Sequence, residues 1–205
     1  MPVRNEREYR AMALLGRPGG EKRIQSDFYV EGYATTFDDP YLLWEDGGVQ
    51  YFEEIASGAL DGADLSDVIM QYDHAGRVYA RRKNGSLIAE PDRHGLFVAA
   101  DLSLTEGARS LYRDIDCGLI DTMSWAFTVA ADEYINTPGR ILRRILKIKR
   151  IYDVSAVSIP ANPGTDIHTR GWIDGAIETA NAERRARKKL KLILDLEGFT
   201  HHEQD

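Results

Sequence analysis

TMSWAFTVAADEYI (122–135), the break Asn136-Thr137-Pro138-Gly139 and the run ILRRILKIKRIYDVSAVSI (141–159) decide the fold. The first stretch is rich in β-branched and aromatic residues, and a turn-forming cluster separates it from a second stretch of the same kind. That sequence predicts strand, turn, strand. Within the second stretch, ILRRILKIKR (141–150) fits helical and strand periods equally. Its β-branched content and the turn before it favour strand.

Upstream, short segments of Val, Ile, Tyr and Phe extend the pattern: FYVEGYATTF (28–37), VQYFEEI (49–55), VIMQY (68–72), RVYARR (77–82), SLIAE (86–90) and LFVAADLS (96–103). They are punctuated by Asp38-Asp39-Pro40, Gly47-Gly48, Asn84-Gly85 and Gly95. Asn84-Gly85 carries the strongest signal for a two-residue hairpin turn, because both residues tolerate positive φ. One segment departs from this pattern. In LTEGARSLYRDIDCG, Ala108, Leu111, Tyr112 and Ile115 recur at helical spacing, with Thr105 placed to cap and Gly118 to stop, which predicts a helix of about three turns.

Residues 1–26 are charged and contain Arg17-Pro18-Gly19-Gly20, so they are expected to be a flexible lead-in, with order beginning near Phe28. After Pro160-Ala161-Asn162-Pro163-Gly164 the composition shifts, and 172–197 is rich in Ala, Glu, Lys, Arg and Leu, all helix formers. The expected organisation is therefore a lead-in (1–26), one β domain (27–170) and a helical, charged tail (171–205). The fold class expected is mainly β with peripheral helices (α+β). A small antiparallel β-barrel is its simplest form, since closure removes exposed edges.

With 205 residues, 43% of them hydrophobic, the chain can bury one core but not two large ones. A formal net charge of −7 argues against a general nucleic-acid coat, which needs excess Lys and Arg to displace counterions. Cys117 is the only cysteine, so no intrachain disulfide forms and a reducing compartment is expected. No stretch approaches the roughly 20 apolar residues of a membrane helix, nor the apolar core of a secretory signal. A soluble protein with no membrane partner and no specific nucleic-acid partner is expected.

Reactive side chains sit beside backbone-shaping residues at Tyr72-Asp73-His74-Ala75-Gly76-Arg77, Asp121-Thr122-Met123-Ser124-Trp125 and Tyr152-Asp153-Val154-Ser155. A serine hydroxyl is a poor nucleophile until a base takes its proton; imidazole serves near neutrality, and a third group fixes its tautomer. His74, Ser124 and Asp153 offer those three roles. Alternation along a strand would send Met123 and Trp125 to the face opposite Ser124. By composition alone, plainer roles fit equally: a solvent-exposed His74, a structural Ser124, and an Asp153 paired with Arg150.

The blocks GYATTFDD (32–39), FEEIASGAL (52–60), YDHAGR (72–77), SWAFTV (124–129) and IYDVSAVSIPANPGT (151–165) resemble, in the same order, those of the tailed-phage prohead (capsid maturation) serine proteases. The resemblance spans roughly residues 28–170. It implies a β-barrel ringed by helices, related in fold to the herpesvirus assemblins, and a serine endopeptidase that cuts scaffold and major capsid protein inside the immature shell. It also implies trimming of its own ends. By position it makes His74 the base, Ser124 the nucleophile and Asp153 the third member. Many relatives carry Glu at this last position and assemblins a second histidine, so His168 and, more distantly, His94 are rivals for it. The implied location is the interior of the prohead in the host cytoplasm, or a prophage-encoded equivalent. Capsid and scaffold proteins are the implied partners, and a homodimer is a further arrangement to test.

No metal or organic cofactor is indicated: His201-His202 lacks further ligands at a suitable spacing, and Cys117 lies at a predicted helix end without a matching motif. Two basic clusters, Arg140, Arg143, Arg144, Lys147, Lys149, Arg150 and Arg184 to Lys191, are solvated faces by default and docking sites for acidic scaffold segments otherwise. Donors for an oxyanion are expected near Ser155 to Ser158 or at Arg77. Two competing functions stand: a non-enzymatic assembly factor built on the same barrel, and a small-molecule esterase, which lacks the G-x-S-x-G elbow of the α/β-hydrolases.

Overall fold

The computed structural model describes residues 6–13, 15–16 and 22–158, all within the compact unit Arg4–Thr165. The strands are β1 (Glu8–Ala13), β2 (Leu15–Gly16), β3 (Tyr29–Thr36), β4 (Tyr41–Asp46), β5 (Val49–Ile55), β6 (Ile69–Tyr72), β7 (Ala75–Arg81), β8 (Leu87–Pro91), β9 (Gly95–Asp101), β10 (Thr122–Thr137) and β11 (Arg140–Val157). One helix, α1 (Glu106–Asp116), joins β9 to β10. Its Thr105 hydroxyl accepts from the Ala108 amide at 3.1 Å, the capping role the sequence indicates. The expected C-terminal helix (172–197), His168, His201-His202 and the second basic cluster lie outside the described residues.

Two sheets result. The larger runs β1-β10-β11-β5-β4, with β6 beside β11 and β7 beside β6; the smaller runs β2-β3-β9-β8. ILRRILKIKR is strand throughout, as its β-branched content implies, and it forms part of an 18-residue β11. That strand pairs antiparallel with β10 along most of its length. On its other side it pairs parallel with β5 over Arg140–Ile145 and with β6 over Asp153–Ala156. Val30, Ala34, Leu96 and Val98 from the smaller sheet share one apolar cluster with Met123, Trp125, Phe127, Ile145 and Ile151 from the larger. The molecule is mainly β, and the pairing path of each sheet is open among the described residues.

Two features differ from the sequence reading. Asn84-Gly85 does not close a hairpin: Arg82–Asn84 form a single 3₁₀ turn ended by Gly85 at φ +79°, and β7 and β8 belong to different sheets. The Asn84 side chain accepts from the Ser86 amide at 3.1 Å, so this dipeptide ends a crossover between sheets. The two-residue turn is instead Gly47-Gly48, at φ +54° and +76°, where Asp46 faces Val49 across the β4–β5 pair. Strand β4 itself, YLLWED, lacks a buried alternating face and so gives a weak signal.

The second difference is at the N-terminus. Residues 8–13 fall in the expected lead-in, yet they form β1 and pair with Thr122–Phe127 of β10. Their charges read as solvated, but Glu8 and Arg10 are buried in an ionic cluster. Arg10 reaches Glu53 at 2.5 Å and 2.7 Å and Glu8 at 2.9 Å. Arg143 reaches Glu8 at 2.6 Å, Glu53 at 3.1 Å and Asp132 at 2.8 Å, and the Tyr41 hydroxyl donates to Glu53 at 2.6 Å. Each strand on the path β1-β10-β11-β5-β4 contributes to this cluster, so it fixes their relative order.

Breaking such a cluster by removing one partner costs more than the whole cluster contributes, because a charge is stranded. Burial pushes the Glu53 carboxyl up, but attraction to Arg10 and Arg143 and the hydrogen bonds from Arg10 and Tyr41 outweigh it, leaving it below its ordinary 4.5. A depressed carboxylate contributes stability that is fully present above its unfolded value and is lost as pH falls through its folded value. Thermal melts should therefore show the midpoint dropping once pH falls below about 4.5. Glu53→Gln should start lower at neutral pH and lose less on acidification.

Candidate active site

The site grows out of the alternation in β10. Met123, Trp125 and Phe127 enter the core, and Trp125 stacks on Phe127 with centroids 4.1 Å apart. Ser124 is thereby held on the opposite face, as period 2 requires. On β11 the same alternation would put Ile151, Asp153 and Ser155 together. A bulge prevents this: Asp153 pairs with Ala126 but Ile151 with Phe127, leaving Tyr152 as the extra residue. Ile151 and Val154 can then both enter the core while Asp153 and Ser155 face the Ser124 side. Ser155 lies directly across from Ser124 in the register.

The third element is the β6–β7 hairpin. Tyr72 pairs with Ala75, and the two residues between them, Asp73 and His74, have φ of +48° and +56°. Two consecutive positive φ values suit a tight hairpin, but side chains adopt them at some cost. The turn is secured from outside. The Asp73 amide donates to the Ala156 carbonyl at 3.0 Å, and its carboxylate accepts from the Ser158 amide and hydroxyl, each at 3.1 Å. Parallel pairing of β6 with β11 aligns Tyr72 with Ala156, which brings the turn alongside Asp153.

His74 consequently bridges the two strands. Its Nδ1 lies 2.5 Å from Asp153 Oδ1, and its Nε2 lies 2.6 Å from Ser124 Oγ. The carboxylate can only accept, so the proton belongs on Nδ1, and the free Nε2 lone pair accepts the serine hydroxyl. Ser124 and Asp153 are each 3% exposed, and the His74 side chain is 15% exposed. Tyr9 of β1 meets the imidazole edge-on, with centroids 4.6 Å apart. The Ser155 hydroxyl donates to Asp153 Oδ1 at 2.7 Å.

The fold thus brings His74, Ser124 and Asp153 together from positions up to 79 residues apart. The alternative pairing of Asp153 with Arg150 does not occur: Arg150 reaches Asp64 at 3.5 Å. His94 packs edge-on against Tyr33 in the smaller sheet, and Cys117 caps α1 and is exposed. Arg77 is an exposed β7 residue. Much of the first basic cluster is engaged internally: Arg143 is in the buried network, Arg144 reaches Glu54 and Asp38, and Arg140 lies over the Phe52 ring. Among the described residues, no group of three or more His, Cys, Asp or Glu side chains is arranged to hold a metal ion. Nor is any helix long and apolar enough to cross a membrane.

Residues 20–176 match the family model for the caudovirus prohead serine protease. The chain belongs to this family. No curated protein and no solved structure matches it. Membership of the prohead proteases implies a serine peptidase with a role in phage maturation, and so action on capsid or scaffold proteins in the immature capsid. The matched span contains His74, Ser124, Asp153 and Ser155, and begins after β1. Sequence reasoning did not single out Tyr9, and it named Ser155 only as a place near expected oxyanion donors, not as a partner of Asp153. Ser155 had a readable signal, since it stands two residues from Asp153 on an alternating strand, whereas Tyr9 lay in a segment that looked unstructured.

Proposed function

We propose that this prohead protease is a serine endopeptidase in which Ser124 is the nucleophile, His74 the general base and acid, and Asp153 the residue that orients His74. The observation that carries the proposal is the single imidazole joining the Ser124 hydroxyl and the Asp153 carboxylate through its two nitrogens. As Ser124 Oγ forms its bond to the scissile carbonyl carbon, its proton passes to His74 Nε2. The resulting imidazolium is stabilised by Asp153, and it returns the proton to the departing amine. Water then attacks the acyl-enzyme by the same path in reverse order. Serine chemistry of this type needs no cofactor.

The substrates in this reading are the major capsid protein and the scaffold protein or domain, and the enzyme's own tail (171–205) is a further cleavage target. The work is done inside the prohead in the host cytoplasm. The two sheets are inferred to be walls of one small barrel of the assemblin type, a reading supported by the apolar cluster they share. A non-catalytic assembly factor is the weaker reading, because it gives no reason for a 2.6 Å contact between Ser124 and an imidazole.

Coexpression with the capsid and scaffold proteins tests the proposal. Mass spectrometry should find new fragment ends with the native chain and none with Ser124→Ala. If every cleavage persists with Ser124→Ala, the nucleophile is elsewhere.

A further inference from the structure

We propose that Ser155 is a positioning residue of this site, a fourth member that acts through Asp153; this rests on the triad reading above. Ser155 is fully buried in the interior of β11, with Ser124 of β10 paired on one side and Gln71 of β6 on the other. Its backbone is therefore fixed by two neighbouring strands, and rotation about χ1 is the main freedom of its hydroxyl. A buried hydroxyl needs a hydrogen-bond partner. This one donates at 2.7 Å to Asp153 Oδ1, the same oxygen that accepts the hydrogen bond from His74 Nδ1 at 2.5 Å.

Two consequences follow from that shared oxygen. Held by the imidazole alone, the Asp153 carboxylate could rotate about its χ2 and carry His74 away from Ser124; the second donor pins Oδ1 between β11 and the turn. The second donor also takes up part of the charge on Oδ1, which weakens the stabilisation available to the imidazolium. The Ser155 hydroxyl thus fixes the placement of Asp153 and, through it, of His74. Among the described residues, Tyr9 from β1 packs edge-on against His74, and the neighbouring Asp73 has its carboxylate occupied by Ser158.

A fluorophosphonate reagent tests this in the full chain without knowledge of the natural cleavage sites. Serine Oγ forms a bond to phosphorus, fluoride leaves, and the serine proton passes to His74. Ser155→Ala should lower the maximal labelling rate about tenfold while leaving the reagent's half-saturating concentration unchanged, since the lost bond is charge-assisted but remote from the reagent. Its acid limb should move to higher pH. Ser155→Cys, with a weaker donor of similar size, should fall between the two. A Ser155→Ala protein with native rate and native pH profile overturns the positioning role. So does a reduced rate with an unmoved acid limb, which would mark a purely packing role. Ser124→Ala separates the two readings: if it is still labelled, the triad reading fails, and if it is silent, the outcome at Ser155 speaks to Ser155 alone.

Discussion

His74→Ala is expected to reduce peptide cleavage by roughly 10⁶-fold, and adding Ser124→Ala to it should reduce cleavage no further. Both results follow from one contact. The Ser124 hydroxyl has His74 Nε2 at 2.6 Å as its proton acceptor, so removing either residue removes the same step. Independent contributors would give a double variant far worse than either single one. Single-turnover cleavage of a capsid-derived peptide by the native chain, the two single variants and the double variant measures this directly. A double variant at least tenfold slower than both single variants would mean that the two residues do not act as a unit. Thermal melts should show the variant still folded, because His74 lies in a hairpin turn and leaves no core cavity, with a modest drop from leaving the buried Asp153 carboxylate held by Ser155 alone.

The second large effect concerns Asp153. Asp153→Asn should lower the rate about 10⁴-fold while preserving the fold. The amide nearly matches the carboxylate in shape, but His74 and Ser155 meet the same atom of it, so its oxygen cannot receive the Ser155 hydroxyl while its NH₂ group faces His74. Turned toward His74, its NH₂ group donates to Nδ1 and forces the imidazole proton onto Nε2. That nitrogen then points a proton at Ser124, and no lone pair remains to activate the hydroxyl. NMR of the imidazole nitrogens would read the tautomer while single-turnover kinetics reads the rate. A variant within tenfold of native would transfer the orienting role elsewhere, with His168 the residue to test next.

Much of this arrangement is legible in the sequence. Alternation in SWAF placed Ser124 opposite Met123 and Trp125, and the apolar periodicity of 108–115 located α1. The blocks that resemble prohead proteases pointed to His74, Ser124 and Asp153, which the fold brings into contact. What stayed hidden depends on long-range pairing. The bulge at Tyr152 has no local signal, since it exists only where β11 meets β10. The same holds for β1. Glu8 and Arg10 look like solvent-facing charges until Glu53 and Arg143, from other strands, neutralise them. Asn84-Gly85 misled for a related reason: the dipeptide fixes a local reversal, but whether the flanking strands then pair is decided by the sheets they join.

The strand that supplies Asp153 also bears on the time at which this protein can act. Residues 140–157 are the last strand described, and they pair with β10, β5 and β6. Until that strand leaves the ribosome, the β6–β7 turn has no Ala156 or Ser158 to hold it, and His74 has no carboxylate to orient it. Ser124 emerges about 30 residues earlier, a lag of roughly 2 to 6 s at ordinary synthesis rates. If His74 is the base of Ser124, the nascent chain carries during that interval a serine without a working base. On the triad reading, late arrival of this strand would delay proteolytic competence until all the described strands are made.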